Sequence, residues 1–303
     1  MNVGLENSLS RNDPNSSAPD PFEPDGVIEN LSSYRFLTRI LAIEGEVSFP
    51  VPKGGFADLM ARAILTARPK LGNFLEILDL LIKARIKAAI KDGDHNAVTT
   101  LLEFKSFRAK GIQPVHRHGK SFTKIDRIGP YSDLFKKIKL NIFKNPVHAR
   151  KICEQEEGGL MFQQEFNLSQ TDGRGRAKKS WCYRISLLSL KETITIHHAS
   201  NEEVPLLIRQ LTKLWDLAVT EKDTESLLKK LSEFEWWFMV ANITGRCSAA
   251  LGDALSLTLR LNAGHSLRKT FFHLDWEVLS RTVDEFIFWR IRDIHNLLPS
   301  STP

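Results

Sequence analysis

The sequence predicts a mainly α fold with a small β element, and three observations lead there. Leu71–Lys91 and Val204–Thr220 repeat apolar residues at helical spacing over long stretches. Helix-stop signals punctuate these runs, among them Pro69 and the Asp92-Gly93-Asp94 triplet. One middle region, Ser180–Leu187 and Glu192–His198, is instead rich in aromatic and β-branched residues without a helical period, which predicts a hairpin.

In chain order, residues 1–26 are rich in Ser, Asn, Pro and Asp and poor in large apolar residues, too poor to offset the entropy of ordering. Residues 1–32 are therefore set apart as a disordered tail, whose composition also suits a leader read by a specialised bacterial secretion apparatus. Order is expected from about Ser33, as one domain over 33–303 with a β-containing insertion near 155–200. Gly54–Arg68 predicts a helix ended by Pro69, and Leu71–Lys91 a second. Asp94 is placed to cap a third, running to about Ala109. Gly111–Pro130 reads as a basic, turn-rich connection before a helix over Ser132–Ile142. Further helices are predicted over Val204–Thr220, Thr224–Ile243, Ser248–Leu261 and Leu274–Ile294.

Composition narrows the function classes. With 42% apolar residues in 303, a sizeable core is possible. Three cysteines, an odd and sparse count, argue against a disulfide framework and fit a reducing cytosol. No run approaches the roughly 18 apolar residues of a membrane helix, so no transmembrane segment is expected. There is no secretory signal pattern, and Asn2 rather than Gly follows the initiator Met, so no myristoylation site is expected. The net charge of +6 is concentrated between Lys105 and Lys151, a face able to attract nucleotides, nucleic acid or anionic lipid, or simply to be solvated. No RNA-binding or zinc-finger signature is present, so nucleic acid is not expected as the main ligand. His116 and His118 lack a third ligand nearby, and no metal is predicted.

Arg246 is the leading candidate for chemistry. It follows Gly245 and precedes Cys247-Ser248-Ala249-Ala250, where a helix rich in small residues begins. Free amides at a helix start suit phosphate oxygens, and a guanidinium adds a planar fork for two of them. The alternative is an arginine pairing with a carboxylate. The Thr171–Ser180 loop, TDGRGRAKKS, lacks the Gly-Lys-Ser/Thr ending of a phosphate-binding loop and runs into a strand. Asp275 supports two readings, a catalytic base and the N-cap of the helix after it. His197 and His198 end a strand and face opposite sides of it, so one of them can reach phosphate while the other is an ordinary edge-strand histidine. Trp236 and Trp237 read as core aromatics positioning Arg246. Cys247 reads either as a thiol of lowered pKa or as a small buried residue.

These residues carry a resemblance. Trp236-Trp237, Arg246 and Ser248-Ala249-Ala250 stand at the spacing of the AvrB family of bacterial effectors. Asp275-Trp276-Glu277 resembles that family's acidic Asp-x-Glu element, and His197 or His198, followed by Pro205, matches a cleft histidine. Pro130-Tyr131 resembles a Pro-Tyr motif near the ligand. The family's Thr five residues before that motif is Ile125 here, with Thr123 close by. Cys247 replaces a Gly after the arginine, and the acidic element sits two residues further along.

The resemblance implies membership of the Fido superfamily with Fic and Doc proteins, and hence a bilobal, largely helical fold with a nucleotide-diphosphate cleft. It implies delivery by a bacterium into the cytoplasm of a host cell, with a host immune-regulatory protein as acceptor. It implies transfer of a deoxysugar such as rhamnose, from UDP- or dTDP-rhamnose, to Ser or Thr. Asp275 is then catalytic, with Arg246, His197, His198, Thr123 and Tyr131 at the nucleotide. The Fic histidine and its acidic partner are missing from Ala241–Arg246, which disfavours ordinary adenylyl transfer. A nucleotidyl or phosphoryl transferase, and a non-catalytic module that docks on host proteins, are the alternative functions.

Overall fold

The computed structural model describes residues 31–47, 55–110, 122–129, 131–144, 149–156, 159–171, 177–188, 193–199, 203–245, 247–264 and 274–295. The tail expected over 1–32 lies almost entirely outside them. Among them the fold is mainly α, with a β element of one antiparallel sheet. The predicted helices of the first third are present: α2 (Phe56–Ala67), α3 (Phe74–Asp92) and α4 (His95–Lys110). They are preceded by α1 (Leu31–Val47), to which the sequence reading assigned no element, and which packs on α2 through Leu37, Ile40 and Leu41. Pro69 ends α2 by turning the chain into a short 3-10 segment, Arg68–Lys70. Gly93, left-handed at φ 72°, closes α3. The Asp94 carboxylate accepts a hydrogen bond from the Ala97 amide at 3.0 Å, the cap expected of it.

The second half builds the core around α6 (Val204–Val219), α7 (Thr224–Ala241) and α8 (Ser248–Asn262). Phe74, Trp215 and Phe234 join α3, α6 and α7, with ring centroids 5.4–5.7 Å apart. The Trp215 indole donates to the Leu71 carbonyl at 2.8 Å, so this ring is buried without stranding its N–H. Helix α8 approaches α7 closely because Gly252 has no side chain. A Cβ there would lie 3.1 Å from both Phe238 and Met239.

The β element holds the predicted hairpin and more. Strands β4 (Ala177–Leu188) and β5 (Thr193–His198) pair antiparallel, as expected. To them are added β3 (Gly159–Thr171), β2 (Ala149–Glu156) and β1 (Phe122–Asp126), giving the order β1-β5-β4-β3-β2. The reading of Gly111–Pro130 as pure connection is corrected by β1. Five residues are too few for a clear alternation, and the strand is fixed by pairing with a remote partner. Helix α5 (Ser132–Lys144) packs on β1 and β5.

The single C-terminal helix expected over Leu274–Ile294 is two. Helix α9 (Leu274–Leu279) stops, and α10 (Val283–Ile294) restarts with a capping box. Thr282 accepts from the Glu285 amide while the Glu285 carboxylate accepts from the Thr282 amide.

Candidate functional site

The last two turns of α7 organise the candidate region. The Trp236 indole donates to the Arg281 carbonyl, in the α9–α10 turn, at 3.2 Å. One turn further along, the Val240 carbonyl oxygen lies 3.4 Å from His198 Nδ1 at the end of β5. One helix therefore ties α9 and the strand histidines to the turn that follows it. Trp236 is buried and stacks edge-on to the half-buried Trp237, with centroids 5.2 Å apart, so both serve the core as expected.

That turn, Asn242–Cys247, is built from left-handed backbone. Asn242 has φ 44°, Gly245 φ 72° and Cys247 φ 63°. Asn tolerates this region better than other non-glycine residues, which suits it to ending α7. Its side-chain oxygen accepts from the Ser248 hydroxyl at 2.7 Å, and the Thr244 and Ser248 hydroxyls are 2.9 Å apart. The Gly245 amide donates to the Asn242 carbonyl at 2.9 Å. Cys247 supplies no side-chain cap to α8, so its first-turn amides have no partner of that kind. Cys247 is half-buried and packs against the core. Arg246 itself lies outside the described residues.

The second part of the region is where α5 meets α9. The Tyr131 ring, 43% exposed, lies 5.7 Å from the ring of Trp276 at an interplanar angle of 59°. Asp275 is half-buried and stands second in α9. This corrects its N-cap reading: it lies inside a six-residue helix and does not start the long one, whose N-cap is Thr282. Glu277 is buried; Lys137 donates to its Oε1 at 2.8 Å and Arg281 pairs with its Oε2. Burial first, then the Arg281 guanidinium, lower the pKa of the Lys137 ammonium, against an opposite pull from Asp133. Burial also lowers that of Arg281, against Glu285.

The histidines divide as expected, with His198 buried and His197 half-buried on the other side. The edge-strand reading is corrected: β5 lies between β1 and β4, and His197 pairs with Phe122 and Arg184. Thr123 stands on the next rung of the β1–β5 ladder, opposite Ile196. The structure thus brings His198 to the end of α7, Thr123 beside the β5 histidines, and Tyr131 to α9. Lys137, Arg281 and Asn242 were missed, and Ser248 was read only as part of the Ser-Ala-Ala element. Asn242 had a signal, an Asn two residues before the Thr-Gly of a helix end. Lys137 had none, because its partner is far along the chain.

Among the described residues no three His, Cys, Asp or Glu side chains gather as metal ligands, and no helix is long and apolar enough to cross a membrane. His116 and His118 lie outside them. The chain matches no protein-family model, and no curated protein matches it.

Proposed function

We propose that this chain is an AvrB-type bacterial effector of bilobal fold, acting in the host cytoplasm. Its reaction is the transfer of a deoxyhexose such as rhamnose from UDP- or dTDP-rhamnose to a Ser or Thr hydroxyl of a host immune-regulatory protein. The observation that supports it most is the α7–α8 turn. Three left-handed residues and the Asn242–Ser248 hydrogen bond shape the backbone ahead of α8, whose N-cap residue Cys247 makes no side-chain cap, and the sequence carries Arg246 in this turn. Helix-start amides with an arginine next to them in the sequence suit a diphosphate.

In this reading the acceptor oxygen attacks the anomeric carbon and the bond from that carbon to the diphosphate oxygen breaks. The diphosphate leaves with the electron pair, neutralised by Arg246 and the α8 amides. Asp275 takes the hydroxyl proton. Tyr131, Thr123 and whichever of His197 and His198 faces the cleft flank the nucleotide. No metal is required by this arrangement of charges.

The test is intact-mass analysis of candidate host proteins incubated with the protein and a panel of nucleotide sugars. The expected gain is one deoxyhexose, nearly abolished in Asp275→Asn, since loss of a general base costs about 10² to 10⁴ in rate. Arg246→Ala should weaken nucleotide binding roughly tenfold or more by calorimetry. A gain of one nucleotide would favour a nucleotidyl transferase. Host-protein binding without any mass change would favour a docking module.

A further inference from the structure

We propose that the start of α2 is a binding site for a phosphate group, either free or on a small soluble ester. The inference does not rest on the transferase reading, because its residues stand on α2 and α3 rather than on α7, α8 or α9. The first donors are backbone. Gly55, left-handed at φ 81°, opens α2 and supplies no side-chain cap. The first helical bond runs from the Leu59 amide to the Gly55 carbonyl, so the Phe56, Ala57 and Asp58 amides precede the helical ladder. Three successive N–H groups at the positive end of a 12-residue helix suit an oxyanion.

A buried guanidinium stands over this first turn. Arg85 of α3 is 9% exposed, and its guanidinium carbon lies 5.6 Å from the ring centre of Phe56, the first residue of α2. Its Nη1 is buried and has no hydrogen-bond partner among the described residues. Its Nη2 lies 3.7 Å from Asp94 Oδ2, beyond hydrogen-bond length. A buried charged donor without an acceptor is costly, and native structures seldom leave one. An anion seated between Arg85 and the start of α2 removes that cost.

A second cation lies at the same place. A Cβ on Gly55 would be 3.8 Å from Lys91 Nζ, so this ammonium stands beside the residue that opens α2. Lys91 is exposed and has no ion pair among the described residues. The acidic side chains of this region are turned elsewhere or only partly offset the cations. Asp58 accepts from Tyr34 and Arg62. Asp94 accepts from the Ala97 amide through Oδ1, and its Oδ2 offsets Arg85 while leaving Nη1 unmet. Asp92, which ends α3, is paired with neither Arg85 nor Lys91. Tetrahedral oxygens can meet amides, a guanidinium and an ammonium from different sides at once, whereas a carboxylate offers two oxygens in one plane. The depth of Arg85 selects a small ligand, since a bilayer surface cannot bring a phosphate to a guanidinium so enclosed.

Inorganic phosphate is titrated by calorimetry, in chloride buffer, into the full chain carrying Arg246→Ala, so that the phosphate site of the transferase reading does not contribute. Saturable binding at one site is expected, weakening as salt is raised. Adding Arg85→Gln should weaken it roughly tenfold or more, and Arg85→Lys should recover little of that loss. Adding Lys91→Gln should weaken it roughly threefold. Lys91 is exposed, so its variant should melt like the parent without phosphate and gain less from phosphate than the parent does. Should Arg85→Gln fail to fold, Lys91→Gln decides. Glycerol phosphate binding as tightly as inorganic phosphate, or more so, identifies an ester as the ligand, and weaker binding identifies free phosphate. Absence of saturable binding, binding that the variants retain, or equal binding of acetate overturns the proposal.

Discussion

Two clusters of charge buried among the described residues are built on opposite plans. In the first, Arg290 of α10 donates from Nε and Nη2 to the two carboxylate oxygens of Glu235 on α7, each at 2.8 Å, and from Nη1 to Asp293 at 3.0 Å. Arg290 and Glu235 are essentially inaccessible. Burial alone would lower the Arg290 pKa, but the pull of Glu235, with Asp253 and Asp293, outweighs it and raises it. Nearby Arg260 has a pKa lowered to about 10 by burial and by Arg290. In the second cluster one buried carboxylate, Glu277, serves two cations, Lys137 and Arg281, and Lys137 is half-exposed. The first cluster is closed by protein groups on all sides and locks α7 to α10. The second is open on one side, where Lys137 reaches solvent. Enclosure fixes the first cluster in one geometry, while the half-exposed Lys137 leaves the second able to exchange protein contact for water.

The sharpest way to break this comparison is Arg290→Met. Removing one member of an enclosed ion pair leaves Glu235 uncompensated, and a loss of about 3–5 kcal/mol is expected in urea unfolding. The double variant with Glu235→Met should recover part of it, because the stranded charge is gone. Glu277→Gln should cost less, about 1–3 kcal/mol, since Lys137 can turn to water. Equal losses at the two clusters would erase the distinction.

Smaller effects sharpen it. Thr282→Ala removes the cap that starts α10 below the first cluster and should cost about 1 kcal/mol. A half-buried counterpart shows what charge does without full enclosure. The Glu221 carboxylate accepts from Lys230, from the Asp223 amide, and from Ser226 and the Lys222 amide, which together lower its pKa from 4.5 to about 2. A carboxylate depressed by folding adds stability above its unfolded pKa and loses it as pH falls through the folded one. Melting temperature should therefore decline from about pH 4.5 down to about pH 2, and Glu221→Gln should flatten that decline.

What the sequence made legible was local. Asp94 capping α4, Gly93 closing α3 and the β4–β5 hairpin each depend on residues a few positions apart. The Thr282-Glu285 capping box was equally local, yet the apolar run from Leu274 to Ile294 continues across the break and masks it. What escaped was long-range. The spacing from Glu235 to Arg290, from Lys137 to Glu277 and from β1 to β5 carries no periodic signal, because chain topology alone makes these neighbours. The left-handed turn before α8 was half legible. Gly245 is a visible signal for left-handed backbone, while Asn242 and Cys247 share its backbone region without glycine's freedom.

The sheet order has a kinetic consequence. Strand β1 precedes β2, β3 and β4 in the chain but pairs with β5, so its ladder from Phe122–His197 to Asp126–Thr193 closes over the whole β2–β4 meander and α5. The β4–β5 and β3–β4 turns need only short closures and can zip early, whereas the β1 closure must meet a larger entropic toll before any rung forms. Arrival of β1 is thus expected to be a late, slow step of refolding, and Thr123 the last of the candidate site residues on the sheet to be set beside its neighbours. Each time the chain unfolds and refolds, that step has to be made again.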